Sequence, residues 1–392
     1  MVGVWFDPVA MVTGWSLYFR VSHFPVRLNS MPGDNLPYRA VVLTILLIVG
    51  SANAQLRVHY IYHPRTYGTD AQFGPASTMV NGTFDVLRNT FTTRKVQDIQ
   101  YWNGVRNVTN NLVHADDVIC QFNEWSNRNF WKYEVLPMDW DLTGGAWVPN
   151  YQTHIVGEGL VCRQLAEWYD AHDYRFPYLM GVMTTASFQF MNEVVENDGS
   201  KKYSVDPVAD LLIFNPIGWA LFYFDPVAGF FGEKLHFANW SGQPMLNPYN
   251  GIMTNAGEQF MVRTDLPWTD HYRFMYTWGS MGGWGLSLKG KSKRNYSATV
   301  GLEAEQLTEN VNKRVRWVTA ELEPHFSFFY DREGSLLFGI SQTGYKNPNI
   351  IVNIYPGFIH SRVGVYAAVN RLHGIHVGIS VLGSPLGLFA GA

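Results

Sequence analysis

His154 and Glu158 stand four residues apart in a mostly apolar stretch, so on an α-helix the imidazole and the carboxylate would stack on one face. A Glu so placed can orient a His as a general base or as a ligand. A structural pair tying the helix to a neighbour would use the same two residues. Glu193 follows Phe188, Phe190 and Met191, where a carboxylate must be paired or keep its proton. Ser204, Asp206 and Asp210 come next, and N-capping with the helix dipole accounts for them as well as chemistry does. His154, Glu158 and Glu193 are therefore the candidate catalytic groups, with His154 and Glu193 expected within contact reach and Asp206 or Asn150 nearby. No H-E-x-x-H spacing marks a metal site and no G-x-S-x-G marks a nucleophile elbow, so neither a metal nor a cofactor is expected.

Helices must bring these groups together. Tyr151 to Tyr169 has few breakers beyond Gly157 and Gly159, and Pro177 to Val195 is an apolar run suited to a buried helix. Asp-Pro-Val-Ala occurs at 206–209 and again at 225–228, each reading as an N-cap Asp with Pro at the first helical position. The spacing predicts a module of three or four helices over residues 150–240. Residues 55–149 read as a mixed region rich in Asn and Thr, with strands expected at Arg57 to Tyr62 and at Asp98 to Trp102.

The run Trp147 to His154, the small residues Gly157 and Gly159, Asn192-Glu193, and Ser204-Val205-Asp206 through Asp210 to Asn215-Pro216-Ile217-Gly218 resemble an uncharacterised bacterial exported family, the domain of unknown function 3943. That family pairs an Asn/His motif on a first helix with a Glu ending the second and a Ser/Asp-to-Pro-x-Gly motif on the third. The resemblance covers about 75 residues and rests on short motifs. It implies an outer-membrane setting, no known reaction, and a binding or structural motif of Asn150, Ser204, Asp206, Asp210, Asn215 and Gly218 beside His154, Glu193 and Pro216. This chain has Ile155 where the family has Pro after the His.

From about residue 258 the hydrophobic period changes to two. Tyr272, Phe274, Tyr276 and Trp278 alternate with Arg273, Met275 and Thr277, and Ile375, Val377, Ile379 and Val381 alternate with His376, Gly378 and Ser380. Gly282-Gly283, Arg332-Glu333-Gly334, Asn347-Pro348-Asn349 and His373-Gly374 read as turns between segments of about 9–11 residues. A soluble sandwich would alternate in the same way. Trp, Tyr and Phe on one face, with Gly and Ser on the other, favour an outer-membrane barrel. The expected fold is mainly β with an inserted α module. It pairs an antiparallel outer-membrane-type β-barrel of about 8–12 strands over 258–392 with three or four helices plugging or capping it. Ile375, Val377, Ile379 and Val381 should then face outward.

The composition agrees: 15% aromatic, 36 Gly, and only 16% charged residues against roughly 25% in an ordinary soluble domain. A net charge of −3 offers no basic field, so nucleic acid is not an expected partner. Arg39, the apolar run Ala40 to Gly50 and Ala52-Asn53-Ala54 read as a signal peptide over 31–54, with 1–30 a mis-called N-terminal extension. Export places Cys120 and Cys162 where they could form a disulfide; burial as two small apolar residues is the alternative. The location expected is the outer membrane of a Gram-negative-type envelope, with outer-membrane lipid and a small amphiphilic ligand as partners. Binding or transport of a lipid or other amphiphile is the leading expectation. The rivals are an envelope hydrolase or transferase using the His/Glu pair on a lipid or glycan, and a structural membrane protein.

Overall fold

Alternation of apolar with small or polar residues after residue 258 produces an antiparallel meander, and the apolar stretches before it produce helices. The computed structural model describes residues 18–21, 24–27, 58–89, 95–123, 129–136, 148–199, 203–311, 315–344, 348–359, 362–370 and 374–391. The signal-peptide segment expected at 31–54 lies outside the described residues.

Eight α-helices are described: α1 Pro75–Thr83, α2 Tyr101–Val113, α3 Ala115–Phe122, α4 Glu158–Ala171, α5 Pro177–Glu196, α6 Asp206–Ala209, α7 Asn215–Phe222 and α8 Asp225–Gly229. Helices thus begin well before residue 150, and the strands expected near 57–62 and 98–102 are not formed. Residues 58–62 are held by a side chain, as described below, and Tyr101 opens α2. Wider π-helical turns occupy Phe130–Val135, Val148–Gly157, Asp210–Phe214 and Phe230–Lys234. The two Asp-Pro-Val-Ala runs do open helices, but Val205 and Phe224 hold the cap positions, and each Asp is the first helical residue. Among the described residues no single helix is long and apolar enough to cross a membrane. One bent pair, Asp206–Phe222 with Asp225–Lys234 at 84°, reaches that length and composition together.

Strands β1 Tyr18–Val21 and β2 Phe24–Arg27 pair only with each other. Short pieces follow: β3 Tyr203–Ser204, β4 Ala238–Asn239, β5 Met245–Leu246 and β6 Met253–Thr254. The meander proper is β7 Gln259–Asp265, β8 Tyr272–Gly279, β9 Met281–Lys289, β10 Arg294–Val311, β11 Val315–Arg332, β12 Ser335–Thr343, β13 Ile350–Ile354, β14 Val363–Val369, β15 Ile375–Val381 and β16 Gly387–Gly391. Each of these ten strands pairs antiparallel with the next; β4 joins β7 at one edge, and β5 with β6 joins β16 at the other. Most strands are shorter than the expected 9–11 residues. In β13 the cause is Pro356, which has no N–H to continue the ladder after Tyr355 donates to Leu337. The β10–β11 hairpin is longer, with 18 residues in each strand, and Pro324 is accommodated there because the β12 ladder stops at His325.

Turns follow local chemistry. Glu333 and Gly334 both have positive φ, 56° and 91°, which suits a two-residue hairpin between β11 and β12. Gly282 and Gly283, expected as a turn, lie inside β9; Gly279 at φ 109° with Ser280 makes the β8–β9 turn instead.

Directly opposed residues of an antiparallel ladder share a face, so the register sorts every strand. Phe260, Trp278, Tyr276, Trp284, Val300, Phe326, Tyr330, Phe338, Ile354, Val365, Ile379 and Leu388 fall on one face through successive pairs. Ser287, Ser297, Thr299, Ser327, Ser341 and Ser380 fall on the other. Burial runs opposite to polarity. Trp284, Val300, Val377 and Ile379 are 53–60% exposed, whereas Ser287 and Ser327 are at 0% and Glu303 at 2%. Ile375, Val377, Ile379 and Val381 share the open face, as expected, with Ser380 buried opposite them.

Helices α4, α5 and α7 pack on the apolar face. Leu160, Val161, Leu165, Phe188 and Phe222 form one core with Phe260 and Trp278 of β7 and β8. A Cβ on Gly157 would come within 2.5 Å of the Phe260 ring, so that glycine lets the helical chain seat directly on the sheet. This contact covers the apolar side of β7 and β8, which is neither the plugging nor the capping expected, while Gln72, just before α1, reaches Ser380 on the polar side at 2.9 Å.

Candidate functional site

The segment carrying His154 is π-helical over Val148–Gly157, so the four-residue rule that would stack His154 on Glu158 does not apply. The imidazole turns instead to the second π-helical segment, where its Nε2 lies 3.2 Å from Oδ2 of Asp210. Gly218 permits this approach: a Cβ there would be 2.5 Å from the carbonyl oxygen of Ile155 and 3.0 Å from that of His154. Gly159 does the same on the adjoining turn, 2.8 Å from the Gly218 carbonyl. The Asn215 amide lies beside the imidazole without completing a hydrogen bond.

Burial shifts both groups away from their charged forms. Burial lowers the His154 pKa to about 4, against a smaller opposing push from Asn215. Burial likewise raises Asp210 well above the usual carboxylate range, reinforced by the negative charges of Glu193, Asp206, Glu134 and Glu196. Burial thus disfavours charge on both members of the 3.2 Å contact. His154 Nδ1, Asp210 Oδ1 and both polar atoms of Asn215 are buried without hydrogen bonds.

Several expected partners surround this pair. Glu193 is buried and accepts from Asn197 Nδ2 at 3.1 Å, and its charge reaches Asp210. Asn150 donates to the backbone of Glu134 at 2.9 Å and to its carboxylate at 3.2 Å. Ser204 Oγ lies 3.4 Å from Asp206 Oδ2, and the Ser204 N–H meets Asn111 Oδ1 at 3.3 Å. The carboxylate beside His154 is thus Asp210, from the third helical motif, where Glu193 had been expected. Glu134, held near 7 by its burial, is a member that the sequence did not single out.

Glu158 belongs to a different group. It is buried, its pKa is raised by burial and by the neighbouring charge of Glu258, and Asp85 adds to the effect. Asp85 Oδ1 in turn takes the Ser280 hydroxyl and the Glu258 N–H, each at 3.1 Å. The expected His154/Glu158 pair is accordingly replaced by two separate acidic centres.

A third buried network was not anticipated. Arg163 Nε and Glu167 Oε1 meet at 2.7 Å, both side chains fully buried, and Arg163 Nη2 reaches Asp225 at 2.8 Å. Glu167 also accepts the backbone N–H groups of Tyr60, Ile61 and Tyr62 at 2.7–3.0 Å. It thereby holds the extended segment 58–62 without a sheet. His59 adds a 2.8 Å contact with Asp170. The only sequence signal was the i,i+4 spacing of Arg163 and Glu167.

Cys120 is exposed and Cys162 buried, and both are free, so the disulfide does not form. Burial pushes the Cys162 thiol up to about 12, as suits an inert core residue. Gly285 to Ser292 has the G-x-x-x-x-G-K-S spacing of a phosphate-binding loop. It is strand β9 followed by a tight turn into β10, and no helix N-terminus follows to receive a phosphate. Among the described residues no group of three or more His, Cys, Asp and Glu side chains could hold a metal ion. No protein-family model, curated protein or solved structure matches this chain.

Proposed function

We propose that the chain is an outer-membrane-type β-barrel of a bacterial envelope that binds an amphiphile, with its helical module lying against the outside of the barrel at one end. The observation that carries this reading is the inverted burial of the ten-strand meander, apolar on the open face and polar on the buried one. In water, so many exposed aliphatic and aromatic side chains would forfeit the main driving force of folding. In a bilayer the same face is the solvated one.

Closure has its own support. The single segment 238–246 bonds to both edges of the meander: Ala238 pairs with Met261, Trp240 N–H donates to Gln259 and Gly242 N–H to Gly257, while Met245 pairs with Gly387. An open sheet edge in hydrocarbon would leave backbone groups unsatisfied, and such a strap removes both edges. The signal-like leader and the likeness to the domain of unknown function 3943 point to the same compartment.

Envelope fractionation tests the reading. The full chain should remain in the membrane pellet after alkaline carbonate and migrate differently on a gel before and after boiling. A chain recovered as a soluble monomer without detergent would overturn it.

A further inference from the structure

We propose that the open face carries a binding site for a lipid with an anionic phosphate headgroup, at the rim formed by the β9–β10 and β11–β12 turns; this rests on the membrane reading above. A groove of about 450 Å³ lies there between strands, floored by Tyr296, Phe328, Tyr330 and Phe338 and bordered by Arg294 and Arg332. All six belong to the apolar face, since Arg294 pairs with Arg332, Tyr296 with Tyr330 and Tyr330 with Phe338.

Two guanidinium groups directly opposite each other on neighbouring strands repel. Neither forms an ion pair with a carboxylate among the described residues. The nearest carboxylate, Glu333, is engaged by Lys293 at 2.7 Å, by the Tyr67 hydroxyl at 2.8 Å and by Arg65 at 3.8 Å. Arg332 is fixed over the Tyr67 ring, 3.5 Å from its centroid, and Arg294 is exposed. An anion between the two forks would relieve the repulsion and accept hydrogen bonds from both.

Directly beneath the cations the floor is aromatic. Tyr296 and Tyr330 have ring centroids 5.1 Å apart, and Phe358 closes the side at 5.8 Å from Phe338 and 5.9 Å from Tyr330. Cations at the strand ends over an aromatic band are the arrangement of an interfacial belt, with phosphate depth above and acyl depth below. A free phosphate would use the arginines and leave the aromatic floor uncovered. A phospholipid uses both.

The test employs the full chain in nanodiscs or mixed micelles, titrated with phosphatidylglycerol, phosphatidylcholine and inorganic phosphate, with retained lipid read by native mass spectrometry. The wild type should retain phosphatidylglycerol at least tenfold more tightly than phosphatidylcholine. Arg294→Gln/Arg332→Gln should abolish that preference while the heat-dependent gel shift persists. Should the double variant not fold, Arg294→Gln alone, at an exposed side chain without an ion pair, should still weaken the preference severalfold. Equal retention of both lipids, a preference that the folded variants keep, or displacement of the lipid by inorganic phosphate at equal concentration would overturn the proposal and leave the barrel reading intact. A chain that folds only as a soluble monomer would overturn both.

Discussion

The strands and the helices bury charge in different ways. On the sheet, buried polar side chains meet one another across the strands: Ser287 and Asn295 reach Ser297 and Asp331 on the adjacent strand, each at 2.9 Å, and Thr343 reaches Glu303 past the intervening β11 at 2.7 Å. In the helical module some partners are remote in sequence, as with Asp210 and His154, or Glu167 and the backbone of 60–62, and others lie one turn away, as with Arg163 and Glu167. A period of two lets a sheet turn its polarity inside out, with its polar side chains gathered on one face where they can meet. A helix has no such lattice, so its buried charges depend on partners that other segments bring in. The sheet should therefore be sensitive to the solvent at its open face, and the module to loss of any one partner.

The sharpest break in this comparison is Arg163→Met. It leaves Glu167 buried with only backbone donors, and removing one partner of a buried pair costs roughly 3–5 kcal/mol. Unfolding of the helical signal in denaturant should shift accordingly, with the strand signal following later. A shift under about 1 kcal/mol would place the module's charges on the same footing as surface pairs.

On the sheet the corresponding change is Val377→Arg, expected to lower folding stability in lipid by about 2–4 kcal/mol if the site lies at mid-bilayer depth. Ser380→Ala, three positions away on the buried face, loses hydrogen bonding to Gln243 and Gln72 and should cost only about 1 kcal/mol. Equal effects at the two sites would remove the distinction between faces. Between these in size stands Gly218→Ala, where the new methyl meets the Ile155 carbonyl at 2.5 Å and must push two helical segments apart. Strain of about 1–3 kcal/mol is expected, together with loss of the His154–Asp210 contact, measurable as a change in the imidazole proton resonances.

Much of this was legible in the sequence wherever the signal was local. The facing of Ile375 to Val381 follows from alternation alone, and the helix at 177–196 from an apolar run opened by Pro177. Signals that depended on an assumed helical pitch failed. His154 was assigned to Glu158 because an α-helix was assumed, and the π-helical turn redirected it to a residue 56 positions on. Glu167 gave no hint that it would organise residues 60–62, because a carboxylate accepting backbone N–H groups needs no pattern at the acceptor's end. Arg294 and Arg332 are 38 positions apart and became neighbours only through the register of a long hairpin.

The smallest expected effect is the response of the module to pH, because one imidazole pulls against the buried carboxyls. His154 has its folded pKa depressed from 6.5 to about 4, so its contribution is present above 6.5 and lost as pH falls toward 4. Glu134 is raised from 4.5 to about 7, and Asp210 is raised well above its ordinary range. Their contributions are complete below the unfolded carboxylate values and are lost as pH rises through the folded ones. Between pH 4.5 and 6.5 the imidazole offsets only one of the two carboxyls, so stability should fall with rising pH less steeply than it does above 6.5. Above 6.5 the imidazole term is constant and only the carboxyl terms remain, so the midpoint for helix unfolding should decline toward pH 8. Glu134→Gln should flatten part of that decline, and His154→Gln should steepen the fall between pH 4.5 and 6.5 while leaving the alkaline limb in place. A midpoint that stays level between pH 6.5 and 8 in Glu134→Gln and wild type alike would mean that the buried carboxyls are already ionised in the native state. Retained folding with lost envelope function in His154→Gln would then favour acid/base chemistry at this pair over an anchoring role.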